Sequence, residues 1–268
     1  MTYKIHQHRC EFTIDRLKNL WISAGILPGN TVLLHSDIKR ILRFMSKNGL
    51  SKNPNDILES FISALGPYGT LLLPTFNIKI TDPVYFDINN TPSRMGVLSE
   101  IARRDCRFVR SSHPLLSFVA SGPRASYFLD SDDFTGIGEN SIFAKLLSTN
   151  STIAILGLPE NRSMSFYHHV EYVHKVPYRW IIPFDSIIRI DSQTIRRKHG
   201  FYARRRDDGV ITAVDRMGDH LWSLGLYNGV GPFVDHGLRT ISAQSVFYET
   251  AKIIKADKAR SYLYEISK

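Results

Sequence analysis

Cysteine is scarce: the 268 residues hold two, Cys10 and Cys106. Cys106 sits between charged residues with no motif around it, and neither thiol resembles an acylated nucleophile, so both read as structural or incidental. The opening residues, MTYKIHQHRCEF, are polar and mixed rather than shaped as a secretory signal, and the expectation is a cytoplasmic protein. Long apolar runs are also missing. Stretches such as residues 70–74 are strand-sized, far short of the ~20 residues a membrane-spanning helix needs. No G-x-S-x-G elbow occurs, and the contiguous His35-Ser36-Asp37 cannot form a catalytic triad, which excludes a serine hydrolase. Internal repeats, low-complexity tracts and an obvious linker are lacking too.

What is present is a globular composition, 43% hydrophobic and 22% charged, able to bury a substantial core. Lys and Arg number 34 against 25 Asp and Glu, a formal charge of +9, which favours anionic ligands such as phosphates, nucleotides or coenzyme A.

Residues from Thr13 to Gly25 carry a cap candidate, helical apolar spacing and a glycine stop. A buried strand follows at Thr31 to His35, then a helix from Asp56 to Leu65 capped by Asn53 or Asn55, then a strand after the Gly66-Pro67-Tyr68-Gly69 turn. Thr91-Pro92-Ser93 reads as the start of a helix reaching Arg104. Strands are expected near 107–109, 117–121 and 151–157, and helices near 215–224 and 242–256. Alternating strands and helices predict an α/β fold whose ligand residues gather at strand ends. From Ile181 to Arg206 the pattern alternates and turns basic, as in an antiparallel sheet. The expected architecture is a single domain over 1–268: a two-lobed α/β sandwich (lobes about 1–180 and 181–268), with a mixed central sheet flanked by helices and a smaller antiparallel C-terminal sheet region.

The segment Ser165-Phe166-Tyr167-His168-His169-Val170-Glu171 places His168 and Glu171 on one helical face, where a carboxylate can hold an imidazole suited to taking a proton from an amine. The same spacing fits a surface pair on an ordinary helix. A metal reading of His168, His169, Glu171 and His174 fails on spacing: adjacent histidines diverge by about 100° and His-Glu-x-x-His is absent. Arg110-Ser111-Ser112-His113-Pro114 reads either as a phosphate or pantetheine grip or as a polar turn. Arg196-Arg197-Lys198 and Arg204-Arg205-Arg206 read as a nucleic-acid patch, a diphosphate grip or a solvated face.

Taken in order, LLHSDIKRI, GPYGTLLLPTFN, FDINNTPSRMGVLSEIARR, RSSHPLLSFVASGPRA and SFYHHVEY with VPYR resemble the aminoglycoside 3-N-acetyltransferase family from about Leu33 to Phe247. The resemblance implies an acetyl-CoA-dependent transfer to an amine, without an acyl-enzyme. It implies His168 as general base oriented by Glu171, and a coenzyme site drawn from His35, Ser36, Thr75, Arg110, Ser111, Ser112, His113 and Ser117. Asp87, Tyr178 and Arg179 would then meet the acceptor. The basic charge points to a nucleotide-linked amino sugar used in surface polysaccharide. Aminoglycoside inactivation is the alternative, and a nucleic-acid-binding protein on a degenerate acyltransferase scaffold is disfavoured by the intact His-x-x-Glu element.

Overall fold

The computed structural model describes residues 2–267, with side chains from residue 10 onward. Helix α1 (Thr2–Ser23) begins well before Thr13 and ends at Gly25, whose φ of +93° closes the turn. It buries Leu17 and Trp21, and Trp21 stacks on Phe61 at 4.7 Å and donates to Ser60 Oγ at 2.7 Å. Strand β1 (Thr31–Ser36) is buried throughout and leads into α2 (Lys39–Lys47). Helix α3 (Pro54–Leu65) starts at proline and is capped by Asn53, which accepts from the Asn55 amide. Strand β2 (Thr70–Pro74) then returns alongside β1.

A short strand β3 (Val84–Asp87) precedes α4 (Val97–Arg104). That helix begins later than the Thr91-Pro92-Ser93 signal predicts. The Arg94 amide donates to Phe76 O, and Ser93 N–H donates to Glu100 Oε2 at 2.9 Å, so this segment is held outside the helix and Gly96 becomes the cap. Strands β4 (Val109–Arg110) and β5 (Phe118–Ser121), helices α5 (Ala125–Leu129) and α6 (Ile142–Ser148), and strand β6 (Thr152–Leu156) follow. Next come α7 (Tyr167–Val173) and a long hairpin, β7 (Arg179–Ile190) with β8 (Gln193–Arg204). The chain continues through β9 (Val210–Thr212), α8 (Asp215–Ser223), β10 (Asn228–Gly229) and β11 (Leu238–Ser242). It closes with α9 (Ala243–Lys255), α10 (Ala259–Tyr262) and β12 (Tyr264–Ile266).

The fold is α/β, with a seven-stranded mixed sheet in the order β10-β11-β6-β1-β2-β5-β4. Its centre, β6-β1-β2, is parallel, and the outer strands run antiparallel. Strand alternation splits the core between the two faces. Leu33, Leu72, Ile153 and Ile155 pack under α6, α7, α8 and α9, while Val32, Leu34, Leu71 and Leu73 pack under α1 to α4. Such double coverage explains why these strands read as unbroken apolar runs.

A three-stranded sheet, β3-β7-β8, and a two-stranded pair, β12-β9, complete the molecule. The smaller sheet holds the antiparallel basic hairpin, but β3 joins it in parallel. The two sheets draw strands from both sides of residue 180. Strand β3 from the N-terminal half lies in the small sheet, and β10 and β11 from the C-terminal third lie in the large one.

Candidate active site

Residues 157–166 carry the chain out of β6 and into α7, and a buried polar knot anchors that passage. Glu160, 6% exposed, accepts from Tyr167 Oη at 2.6 Å, Tyr227 Oη at 2.9 Å and Arg239 Nη2 at 3.0 Å. Arg239 also donates to Leu158 O at 2.7 Å. Three donors on one buried carboxylate fix the first turn of α7, and His168 is the residue after Tyr167.

One turn on, His168 Nδ1 lies 2.9 Å from Glu171 Oε2. Carboxylate acceptance makes Nδ1 the protonated nitrogen and leaves Nε2 as the base. The same Glu171 oxygen meets Arg179 Nε at 2.7 Å, and both Glu171 and Arg179 are buried. Burial pushes the Glu171 carboxyl up, but Arg179 and His168 outweigh it and hold the group below its usual range. Burial, then Arg179, lowers the His168 pKa, with Glu171 opposing. The imidazole is therefore neutral and proton-accepting near pH 7. His169 points elsewhere: its Nδ1 donates to Ile137 O at 2.7 Å inside the core. Among the described residues no cluster of His, Cys, Asp or Glu is arranged to hold a metal ion.

His168 opens onto a cleft of ≈ 620 Å³. Ile78, Ile80, Trp180 and Ile182 give it an apolar wall, and Arg179, Arg204, Arg206 and Asp207 a charged one. The exposed isoleucines and half-exposed Trp180 carry no motif, and pattern reading passed over them.

The residues expected to bind coenzyme fall into two groups. Thr75, Arg110, Ser111 and Ser117 are buried and satisfy one another. Thr75 Oγ1 lies 2.9 Å from Ser117 Oγ, Arg110 donates to Ser117 Oγ and to the carbonyls of Thr75, Ile88 and Thr91, and Ser111 Oγ accepts from Phe118 N. Arg110, lowered to about 10 by burial, acts here as a tie between loops. His35 and Ser36, at the carboxyl end of β1, instead keep Nε2 and Oγ without a protein partner. His113, beside half-buried Ser112, accepts the Leu115 and Leu116 amides at Nδ1, while its Nε2 is likewise unpartnered. The unpartnered buried atoms of His35 and Ser36, at the carboxyl end of a parallel strand, fit a coenzyme rich in amides and phosphates.

Two of the three acceptor residues lie elsewhere than expected. Asp87 pairs in register with Arg189, ten residues along β7 from Arg179, so an extended strand separates it from the cleft by about 30 Å. There it accepts from the Asn89 and Asn90 amides and closes a turn. Tyr178 is 6% exposed and stacks on Tyr264 at 4.0 Å, behind the cleft wall. Arg179 does line the cleft, locked to Glu171. The basic run divides as well: Arg197 pairs with Asp132 at 2.7 Å and Lys198 sits 3.9 Å from Asp185, about 20 Å along β8 from Arg204. No helix among the described residues is long and apolar enough to cross a membrane.

A neutral imidazole held by a buried carboxylate at the wall of a mixed cleft is the apparatus of a base-assisted transfer to an amine or hydroxyl. Comparison with known proteins narrows this. The family model described as aminoglycoside 3-N-acetyltransferase matches residues 33–254, and the chain belongs to that family. Aminoglycoside N(3)-acetyltransferase IV of Salmonella sp is 29% identical over 178 residues, covering 65% of this chain and 64% of that protein's length. A prophage-derived aminoglycoside N(3')-acetyltransferase-like protein of Bacillus subtilis (strain 168) is 26% identical over 200 residues, covering 66% and 70%. The solved structure of AAC-IIIb with CoASH shares the fold at a TM-score of 0.78 and 20% identity, covering 91% of this chain and 97% of that one.

Proposed function

We propose that this chain transfers the acetyl group of acetyl-CoA to a primary amine of an aminoglycoside-type amino sugar. The observation that carries the reading is the His168–Glu171–Arg179 chain at the cleft wall, with His168 Nε2 as the free base. The amine nitrogen attacks the thioester carbonyl, His168 Nε2 takes the proton this releases, the C–S bond breaks, and the proton passes to the departing thiolate. Glu171 steadies the imidazolium formed on the way, and Arg179 keeps Glu171 ionised.

The nucleotide-linked acceptor suggested by the charge of +9 is not retained as the first reading. Coenzyme A is itself polyanionic and accounts for basic groups in the cleft equally well. Relatives named for aminoglycosides support the acceptor chosen here.

The test is thiol release from acetyl-CoA with aminoglycosides, free amino sugars and nucleotide-linked amino sugars in parallel. Release with aminoglycosides alone supports the proposal. Release with only the nucleotide-linked group moves the acceptor, and no release with any amine overturns the transferase reading.

A further inference from the structure

The charged wall of the cleft is out of balance. Arg179 and Arg204 are directly cross-strand partners in the hairpin, and Arg206 follows two residues beyond. Like charges facing each other across a sheet are destabilising unless a counter-charge intervenes. Glu171 supplies one for Arg179, but its carboxylate is already shared with His168 and buried. Among the described residues, neither Arg204 nor Arg206 has an ion pair or a side-chain hydrogen bond, and Asp207 is the lone carboxylate lining the cleft. By contrast, Arg103, Arg104, Arg107 and Arg197 each hold a carboxylate within 2.8 Å.

Geometry adds a second point. Arg204 is half-buried at the end of β8, on the rim of the same cleft as His168, and Thr212 of β9 lies on that rim as well. Burial, then Arg179 and Arg206, pulls the Arg204 pKa down, and the nearby Glu171 carboxylate offsets them only in part. Guanidinium groups are always charged and match phosphate with paired N–H donors.

We infer that Arg204 and Arg206 form a phosphate subsite that anchors a phosphorylated substrate beside His168. The inference rests on the transferase reading and extends it. The phosphate has two possible carriers, acetyl-CoA or a phosphorylated acceptor, and both present the same chemistry.

The experiment pairs kinetics with binding on the full chain. Acetyl-CoA and acceptor are varied separately for the wild type and for the Arg204→Ser/Arg206→Ser double variant, and both proteins are titrated calorimetrically with coenzyme A and with inorganic pyrophosphate at fixed ionic strength. Expected is a loss of about tenfold or more in pyrophosphate affinity, since charged hydrogen bonds of this kind carry at least that factor. A rise in KM for acetyl-CoA with kcat little changed makes the coenzyme the carrier. A rise in KM for the acceptor alone makes it the acceptor. Unchanged pyrophosphate affinity together with both KM values unchanged overturns the subsite. If the wild type releases no thiol with any amine, the transferase reading fails while the titrations still decide this one. An Arg204→Lys/Arg206→Lys variant, which keeps the charge, recovers part of the lost affinity and separates anion binding from a folding defect.

Discussion

His168 presents Nε2 to the cleft because Glu171 occupies Nδ1, and Glu171 stays ionised because Arg179 sits against it. Removing each member therefore has a different signature. His168→Ala abolishes proton removal and lowers kcat by about 10²-fold or more while coenzyme A still binds, checked by steady-state kinetics and calorimetry. The pH profile follows from the sign of the shift. A His168 pKa below 6.5 leaves the base neutral at pH 7, so its contribution to kcat/KM rises through an inflection below 6.5 and is level above it. Glu171→Gln removes the group that raises this pKa, so the inflection moves further down even as kcat falls. It also strands Arg179, buried and unpaired, and chemical denaturation is expected to show a loss of about 3 to 5 kcal/mol. An inflection unmoved by Glu171→Gln would mean that the pair is not coupled.

Among the elements, the exit of β6 is the tightest point near the site. Gly157 has φ +67°, and a Cβ there would stand 2.4 Å from Asp37 O, which belongs to the turn after β1. Gly157→Ala combines backbone strain with a clash against main chain, and urea unfolding is expected to show a loss of at least about 2 kcal/mol. Gly29→Ala is the control: its φ is +82° but nothing lies within 4 Å, so only the strain of about 1 kcal/mol remains. The strands either side of such turns were legible in the sequence because burial on both faces forces apolar runs, as at β1, β2 and β6. The His168–Glu171 contact was legible because helical spacing alone sets it. Edge strand β3 was not, since four residues paired to a strand about a hundred positions later leave no local pattern. Long-range pairing likewise hid β11, and it placed Asp87 far from the cleft where the family resemblance put it. Arg110 looked like a ligand grip because sequence shows its donors but not the carbonyls of Ile88 and Thr91 that take them.

Over the whole molecule, histidine burial sets the response to acid. Burial is the first cause lowering the pKa of His35 to about 4 and of His113 to about 3, and it also lowers His168, His169, His199 and His236. In the unfolded chain each returns to its ordinary value near 6.5. Below that pH the unfolded state binds protons that the folded state refuses, so this part of the stability is complete above pH 6.5 and drains away as pH falls. Each such histidine approaches a cost of about 1.4 kcal/mol per pH unit within its window, so His35 and His113 alone remove about 3 kcal/mol between pH 6.5 and 5. Paired carboxylates act lower: Glu100, held near 2 chiefly by Arg103, contributes in full above about pH 4.5 and is lost only beneath it. Thermal midpoints at pH 7.5, 6.5, 5.5 and 5.0 therefore separate the two groups. A midpoint that is level from 7.5 to 6.5 and then falls steadily to 5.0, with a shallower fall in His113→Asn, is the expected result. No fall over that range would mean that these histidines accept protons without unfolding.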